Sequence, residues 1–370
     1  MKSRRLWQSG TVWAILCVFF LLLALKNSEI AANGIKKGLF MLENILFPSL
    51  LPFLILSELF VTLGAGRVLG RVIARPARAL FGLTENGAAV LALGWLCGVP
   101  VGTVSAMTML KNGDISREEF LRLLLFANTP STGFLVGTVG GALFGNRTAG
   151  MVLFLCVLLA AALTGVALKL QGGNLPPCGT MQHTPQRVSF FRALTSAIQK
   201  SVFTMMGVAG FVLFFSALSE CVTVIATVRQ LPPLLASLLC GALELTAGVS
   251  AVVSKHPPAV AFLLTAGFAG FAGLSICLQI FAVSADAQPR LCPYLTAKIL
   301  QGAITLLLAA LYLALAHPQL TVAQNGFAET VSTAGELHTY TRHTMLALLA
   351  LLALIPLCRR RAVTFYRIEK

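Results

Sequence analysis

The sequence predicts an all-α polytopic membrane protein, with about eight transmembrane helices and two re-entrant hairpins arranged as two inverted repeats. Of its 370 residues, 57% are hydrophobic and only 11% are charged, and the mean hydropathy is +0.84. Soluble domains typically carry about 25% charged residues. The apolar residues fall into blocks of about 20, the length that crosses a bilayer as a helix. With so little charge to coat a globule, a membrane location is expected.

Charge decides which of the apolar runs cross the membrane completely. Basic loops favour the cytoplasmic side. If every run crosses, the basic loops 111–122 and 171–200 face outward, against that tendency. If 86–110 and 231–253 are hairpins that enter and leave on one side, these loops face inward with both termini. Hairpins are therefore predicted within this series of apolar runs: 12–25, 38–63, 86–110, 123–145, 148–170, 201–220, 231–253, 259–283, 293–316 and 344–358.

The two halves of the chain repeat the same order of features. One run ends in Ser57-Glu58 and another in Ser219-Glu220, and each precedes a run that is broken near its middle. A glycine-interrupted run follows in both halves. Because of the hairpins, the halves have opposite orientations, a common plan among secondary transporters. The predicted parts are an N-terminal anchor and lead-in (1–37), a first repeat (38–170), a cytoplasmic linker (171–200), a second repeat (201–316), and a polar loop, last transmembrane helix and basic tail (317–370).

Polar residues at the breaks are the candidates for solute binding. Pro130 lacks a backbone donor, and non-helical backbone survives at membrane depth only inside the protein or along a wet cavity. Gln279 follows Ser275 by four positions and so shares its helix face. A proline kink and interhelical packing are the alternatives. The predicted substrate-binding residues are Asn128, Thr129, Ser131, Glu244, Ser275 and Gln279, and the predicted helix breaks are Gly98, Pro100, Pro130 and Gly273.

Three carboxylates, Glu58, Glu220 and Glu244, lie within or at the ends of apolar runs. An ionised carboxylate at bilayer depth is costly unless it faces a cavity or a partner. These residues are therefore candidates for binding a substrate hydroxyl, a proton or a cation. A carboxylate near the interface, or a protonated one bonded to a neighbouring helix, is the alternative.

Other function classes lack their characteristic residues. The nine cysteines form no CxxC pair, and the five histidines lack metal-ligand spacing, so neither a metal nor a cofactor is expected. No HExxH, Walker A lysine or GxGD-type aspartyl pair is present, and no enzyme activity is expected. Basic residues flank apolar runs and do not mix with aromatic stacking platforms. The expected partners are thus the lipid bilayer and a small solute rather than nucleic acid, and homo-oligomerisation stays open.

Several short motifs occur in order between about residues 38 and 310. They are Phe47-Pro48-Ser49-Leu50-Leu51-Pro52-Phe53 with Ser57-Glu58, Gly94 to Gly102, Asn128 to Ser131, Gly241-Ala242-Leu243-Glu244-Leu245-Thr246, Gly273 to Gln279, and Pro293-Tyr294. This series resembles the YlbJ-type sporulation integral membrane proteins, a nucleoside-permease-like family. The resemblance implies a gate domain like that of nucleoside transporters. For the sporulation members it implies a multi-pass protein in the mother-cell-derived membrane around the forespore, through which dipicolinic acid passes. The chain departs from the family pattern at Cys277, where a histidine is expected.

The expected function is a permease in a bacterial cell membrane that moves a small solute, with dipicolinate during sporulation as the first candidate. A dianion needs positive potential, which the helix N-termini at the breaks supply at about half a unit charge each. A neutral nucleoside held by Glu244, Asn128 and Gln279 fits equally well. A third hypothesis, a non-transporting assembly or signalling protein, predicts no solute-dependent change in any assay.

Overall fold

The computed structural model describes residues 28–64, 66–172 and 189–316. These residues are helical and contain no β-strand, which confirms the predicted all-α fold. The predicted anchor at 12–25 and the segment 317–370 lie outside the described residues. So does most of the linker 171–200, although its last residues, 190–200, already belong to a helix.

The first half consists mainly of short helices with defined breaks between them. A π-helical turn, Leu42–Leu46, joins the first two helices, and the stretches Ser28–Leu46 and Leu50–Thr62 differ in direction by 53°. A longer π-helix, Gly133–Leu143, follows the break at 127–132. The α-helices are α1 (Ser28–Met41), α2 (Phe47–Thr62), α3 (Gly66–Phe81), α4 (Glu85–Cys97), α5 (Val101–Lys111), α6 (Arg117–Phe126) and α7 (Arg147–Gly172).

The second half repeats this order with fewer interruptions. Its helices are α8 (Phe190–Val228), α9 (Pro233–Leu243), α10 (Leu245–Lys255), α11 (Pro258–Phe271), α12 (Gly273–Val283) and α13 (Leu291–Ala316). Helix α8 corresponds to α1 and α2 together, and the α9–α10 pair corresponds to the α4–α5 pair. Helices α7 and α13, which end the two halves, are each 26 residues long.

Helix length and composition support a multi-pass membrane location. In the part of the chain that the structure describes, up to six spans result if the bent pairs within 28–62 and 70–97 are each counted as one, although the second pair is bent by 94°. The predicted number of eight includes the runs 12–25 and 344–358, which the structure does not describe. Among the described residues, four stretches are long and apolar enough to cross a membrane on their own: Arg147–Leu170, Phe190–Val228, Pro258–Val283 and Leu291–Ala316.

Two helix pairs, α4–α5 and α9–α10, fold back on themselves. Asn86 Nδ2 donates to the carbonyl of Asp114 at 2.9 Å, so both ends of the α4–α5 pair lie together. Ser237 Oγ lies 3.0 Å from His256 Nε2 and joins the ends of the α9–α10 pair in the same way. The tips of both pairs are buried. The runs predicted to be hairpins therefore have the geometry of hairpins.

Glycines allow the two arms of each hairpin to approach closely. A Cβ on Gly102 would lie 2.7 Å from Gly94 Cα, and a Cβ on Gly248 would lie 2.2 Å from Gly241 Cα. Real Cβ atoms do not reach such distances from a backbone atom. The small residues Gly94 and Gly102 thus allow the arms to pack closely.

The long helix α8 runs antiparallel to α1 and α2. Lys37 of α1 pairs with Glu220 near the C-terminal end of α8, at 2.7 Å. Lys200, near the N-terminal end of α8, pairs with Glu58 of α2 at 2.6 Å. The first segments of the two halves are therefore joined at both ends and point in opposite directions.

Candidate functional site

A cavity of about 60 Å³ lies where the hairpin tips, the helix breaks and the long helices meet. Its walls come from both halves of the chain. The hairpin tips contribute Val99, Glu244, Leu245 and Thr246, the breaks and the helices after them contribute Pro130, Ser131, Phe134, Ile276 and Gln279, and the first helices of the two halves contribute Leu46, Leu50, Val208 and Val212.

The cavity contains part of the predicted site. Ser131, Glu244 and Gln279 line it, as does the predicted break at Pro130. Three other predicted binding residues, Asn128, Thr129 and Ser275, are buried next to it but do not line it. Of the other predicted breaks, Gly98 and Pro100 flank the lining residue Val99, and Gly273 begins the helix that carries Gln279. The predicted segments thus meet at the cavity, but only some of the predicted side chains line it, and their role in binding stays a prediction.

Glu244 is the residue between the two helices of the α9–α10 hairpin. Its backbone is extended, and its Oε2 accepts hydrogen bonds from Ala247 N at 2.6 Å and from Thr246 Oγ1. A carboxylate in this position satisfies free N–H groups at a helix N-terminus and is stabilised by the helix dipole. Glu244 therefore has a structural role as the N-cap of α10, and it also places a carboxylate on the cavity wall.

The break in the first half is fastened to the tip of the α4–α5 hairpin. Val99 N donates to the carbonyl of Thr129 at 2.9 Å. Thr103 Oγ1 donates to Asn128 Oδ1 at 2.7 Å, and Asn128 Nδ2 donates to Leu124 O at 3.1 Å. Both polar atoms of the Asn128 side chain thus have a partner within the protein. Its geometry favours a role in holding the break, the packing alternative left open by the sequence.

Pro130 leaves one backbone carbonyl without a hydrogen-bond donor from its own helix, and a side chain of the α4–α5 hairpin donates to it instead. A proline cannot donate to the carbonyl four residues earlier, which here belongs to Phe126. Trp95 Nε1 donates to that carbonyl at 3.1 Å. On the other side of the break, Thr132 Oγ1 donates to Leu96 O at 2.7 Å. These side chains explain how a non-helical segment remains stable inside an apolar bundle.

Lys298 belongs to α13 and contacts the C-terminal end of α6. The sequence-based site prediction did not include it. Its ammonium is fully buried and donates to the carbonyl of Asn128 at 2.5 Å and to Gln301 Oε1 at 3.0 Å. Gln301 Nε2 in turn donates to Leu125 O at 2.7 Å. A cation is favourable at a helix C-terminus, where carbonyls lack partners. The signal in the sequence was a single lysine within an otherwise apolar run.

The break in the second half depends on two residues with positive φ. Ala272 has φ 73° and Gly273 has φ 76°, so the helical conformation is interrupted between α11 and α12. A Cβ on Gly273 would lie 3.2 Å from Leu245 N, which places this break against the start of α10. Gln279 Nε2 donates to Ser275 Oγ at 3.3 Å, as their shared helix face predicts. The side-chain amide of Gln279 is thereby held on the cavity wall by a hydrogen bond within its own helix.

The two other candidate acids do not line the cavity. Glu58 is 1% exposed, pairs with Lys200, and also accepts from Thr108 Oγ1 at 3.0 Å. Glu220 is 20% exposed and pairs with Lys37. Both carboxylates therefore have cationic partners and lie at opposite ends of α8, away from the solute-binding candidates.

A protein of known name aligns with most of the chain. Sporulation integral membrane protein YlbJ of Bacillus subtilis (strain 168) is 27% identical over 361 residues of alignment, which cover 86% of this chain and 88% of that protein. This similarity supports a YlbJ-type family assignment. The resemblance based on the motifs is thereby confirmed by a similarity that covers most of both proteins. No known family profile matches the chain, and no solved structure matches it.

Proposed function

We propose that this YlbJ-type protein is a membrane permease for a small solute, with dipicolinate during sporulation as the candidate substrate. The name of the Bacillus subtilis relative supports a membrane role in sporulation. The observation that carries the transport proposal is the cavity between the two halves, at the meeting point of hairpin tips and broken helices. Secondary transporters bind their solutes at this kind of position, near the membrane midplane and between repeats.

Two inverted repeats are part of the proposal. Each half contains a long or bent first helix, a hairpin, a broken helix and a final 26-residue helix. The antiparallel contact of α8 with α1 and α2 supports opposite orientations for the two halves. The two hairpins would then enter the membrane from opposite faces and meet at the cavity.

The distribution of basic residues supports an orientation for these repeats. The ends of α4–α5 lie close to Lys111 and to the arginines of α3, and Lys169 donates to the carbonyls of Arg78 and Ala79. By the positive-inside rule this end is cytoplasmic. The end that carries Glu220 and the base of the α9–α10 hairpin would face the opposite compartment, which for a protein around the forespore is the intermembrane space.

The helix termini favour an anion in the cavity. Helices α5, α10 and α12 and the π-helix Gly133–Leu143 all begin at the breaks around it. Each helix N-terminus carries about half a positive charge. Glu244 compensates one of them, and the others leave a positive potential suited to a carboxylate solute.

The volume of the cavity is small. A buried water needs roughly 10–15 Å³ measured in this way, so about 60 Å³ holds only a few waters. A solute the size of dipicolinate therefore requires the two halves to separate at the cavity.

A nucleoside is the second candidate, because Glu244, Thr246 and Gln279 present oxygen and amide groups to the cavity. The substitution Glu244→Gln separates the candidates. A site that binds ribose hydroxyls through the carboxylate should lose several kcal/mol of affinity. A dianion site should retain dipicolinate transport, because a repelling charge is removed and the amide oxygen can still cap α10.

The dipicolinate content of spores tests the proposal. We expect spores of a strain that lacks the gene to contain much less dipicolinate than spores of the parent, and the native gene to restore the content. Normal dipicolinate together with defective spore assembly would contradict the permease and support the non-transporting assembly role.

A further inference from the structure

Two ion pairs join the halves of the protein on opposite sides of the cavity. Lys37 and Glu58 belong to the first half, and Lys200 and Glu220 belong to the second. Each pair connects a lysine of one half to a glutamate of the other. The arrangement is reciprocal, as the inverted relationship of the two halves requires.

The spacing of these residues matches the thickness of a membrane. The lysine and the glutamate of each half are separated by about 20 residues, which corresponds to about 30 Å along a helix. A bilayer has a hydrocarbon core of about the same thickness. One pair therefore lies near each face, if the helices cross as proposed.

The cavity lies midway between the two pairs along both first segments. Leu46 and Leu50 line it and are near the centre of the stretch from residue 37 to 58. Val208 and Val212 line it from near the centre of the stretch from 200 to 220. A solute that leaves the cavity along this helix interface toward either face must pass one of the ion pairs.

Small residues close the interface beside each pair. At the Lys37–Glu220 end, a Cβ on Gly34 would lie 2.6 Å from Ala217 Cα, so α1 and α8 are in direct backbone contact. At the Lys200–Glu58 end, Leu59 packs against Ala193 and Ala197. The helices of the two halves are therefore in direct contact beside each pair.

The exposure of the partners allows the pairs to open. Lys200 is 55% exposed and Lys37 is 62% exposed, so both ammonium groups can return to water. Glu58 is almost completely buried, and a buried carboxylate without its cation is unfavourable unless water reaches it. Separation of this pair should therefore coincide with entry of water between the halves.

From these observations we infer that Lys37–Glu220 and Lys200–Glu58 are the two gates of the permease, which open one at a time to connect the cavity with one face. The inference rests on the proposed transport function. In this proposal the four charged residues close the path on either side of the cavity, and the residues that line the cavity bind the solute.

The test measures access to the cavity from each face with a thiol reagent that does not cross membranes. Val212→Cys places the probe on the cavity wall with little change in volume. The experiment uses the full chain in proteoliposomes of known orientation, and requires no solute. Four native cysteines are replaced by serine. Cys292 is exposed, and the other three lie outside the described residues: Cys17, Cys178 and Cys358.

Each gate has its own neutral variant and expected result. Glu58→Gln keeps the hydrogen bond from Thr108 and should make the probe react several times faster from the cytoplasmic face only. Glu220→Gln should do so from the opposite face only. The exchanged pair Lys37→Glu with Glu220→Lys restores the attraction and should return the labelling rate to that of the parent.

A matched control comes from an ion pair that also joins the two halves. Lys111 and Asp286 are 2.8 Å apart but are 60% and 69% exposed and do not line the cavity. Asp286→Asn should leave labelling unchanged from both faces. Equal labelling for all variants, an increase on the same face for both gates, or failure of the exchanged pair would show that the pairs are static contacts and would overturn the proposal. The expected pattern without dipicolinate movement would refute only the assigned substrate.

Discussion

Replacing Gly98 by alanine adds one methyl group where the tip of the α4–α5 hairpin meets the break. The new Cβ would lie 2.5 Å from Ser131 N and 2.6 Å from Ser131 Cα, and backbone atoms cannot rotate away as a flexible side chain can. The backbone of Gly98 has φ 79° and ψ −167°, a region almost restricted to glycine. The unfavourable conformation costs about 1–3 kcal/mol, and overpacking typically adds about 1–3 kcal/mol. We expect Gly98→Ala to lower the free energy of unfolding by about 2–6 kcal/mol.

Gly64→Ala is the matched control. Gly64 also has a positive φ, 73°, but a Cβ there has no neighbour within 4 Å, so only the backbone strain remains. Denaturant unfolding of the purified proteins in detergent, followed by tryptophan fluorescence and circular dichroism, gives both losses on one scale. Dipicolinate uptake by Gly98→Ala should also fall at temperatures where the protein remains folded, because the tip and the break form the cavity wall. If the loss for Gly98→Ala does not exceed that for Gly64→Ala, the close contact between tip and break is wrong.

The remaining predictions concern the cavity, the break and the topology. Gln279→Ala should reduce transport at a normal protein level. Asn128→Ala should instead reduce stability by about 1–3 kcal/mol, because it removes two buried hydrogen bonds. Immunoblots, uptake and unfolding measurements separate these effects, and the opposite result would exchange the two roles. Lys298→Met should also lower the free energy of unfolding, by about 1–3 kcal/mol, because it leaves buried carbonyl and amide oxygens without a donor; an unchanged unfolding midpoint would contradict its capping role. Single cysteines at Asn112 and Gln186 should both be protected from an impermeant reagent outside intact cells, and labelling at Asn112 would refute the cytoplasmic base of the α4–α5 hairpin.

Local signals in the sequence predict many of the helices and their breaks, but α3 (Gly66–Phe81) lies between the predicted apolar runs and was missed. Ser116 accepts from Glu119 N at 3.1 Å and begins α6, as the capping pattern predicts. Glu119 does not complete the capping box, because its carboxylate instead accepts from Thr84 N and Thr84 Oγ1. The first interaction depends on residues three positions apart, and the second joins residues 35 positions apart, which no local pattern specifies.

The same distinction explains the site. Prolines and glycines interrupt a helix by their own chemistry, so the segments around the cavity could be predicted. Which side chain satisfies each freed carbonyl depends on tertiary packing. Lys298 is 170 positions from Asn128, and Lys200 is 142 positions from Glu58, so their partners became visible only in the folded chain.

The central claim is that the protein itself moves dipicolinate through the cavity between its halves. Uptake of labelled dipicolinate into proteoliposomes that contain only this protein tests the claim most directly. We expect uptake that saturates with dipicolinate concentration, is retained by Glu244→Gln and is reduced by Gln279→Ala. Uptake no faster than in protein-free liposomes, with folded protein present in the membrane, would contradict the claim.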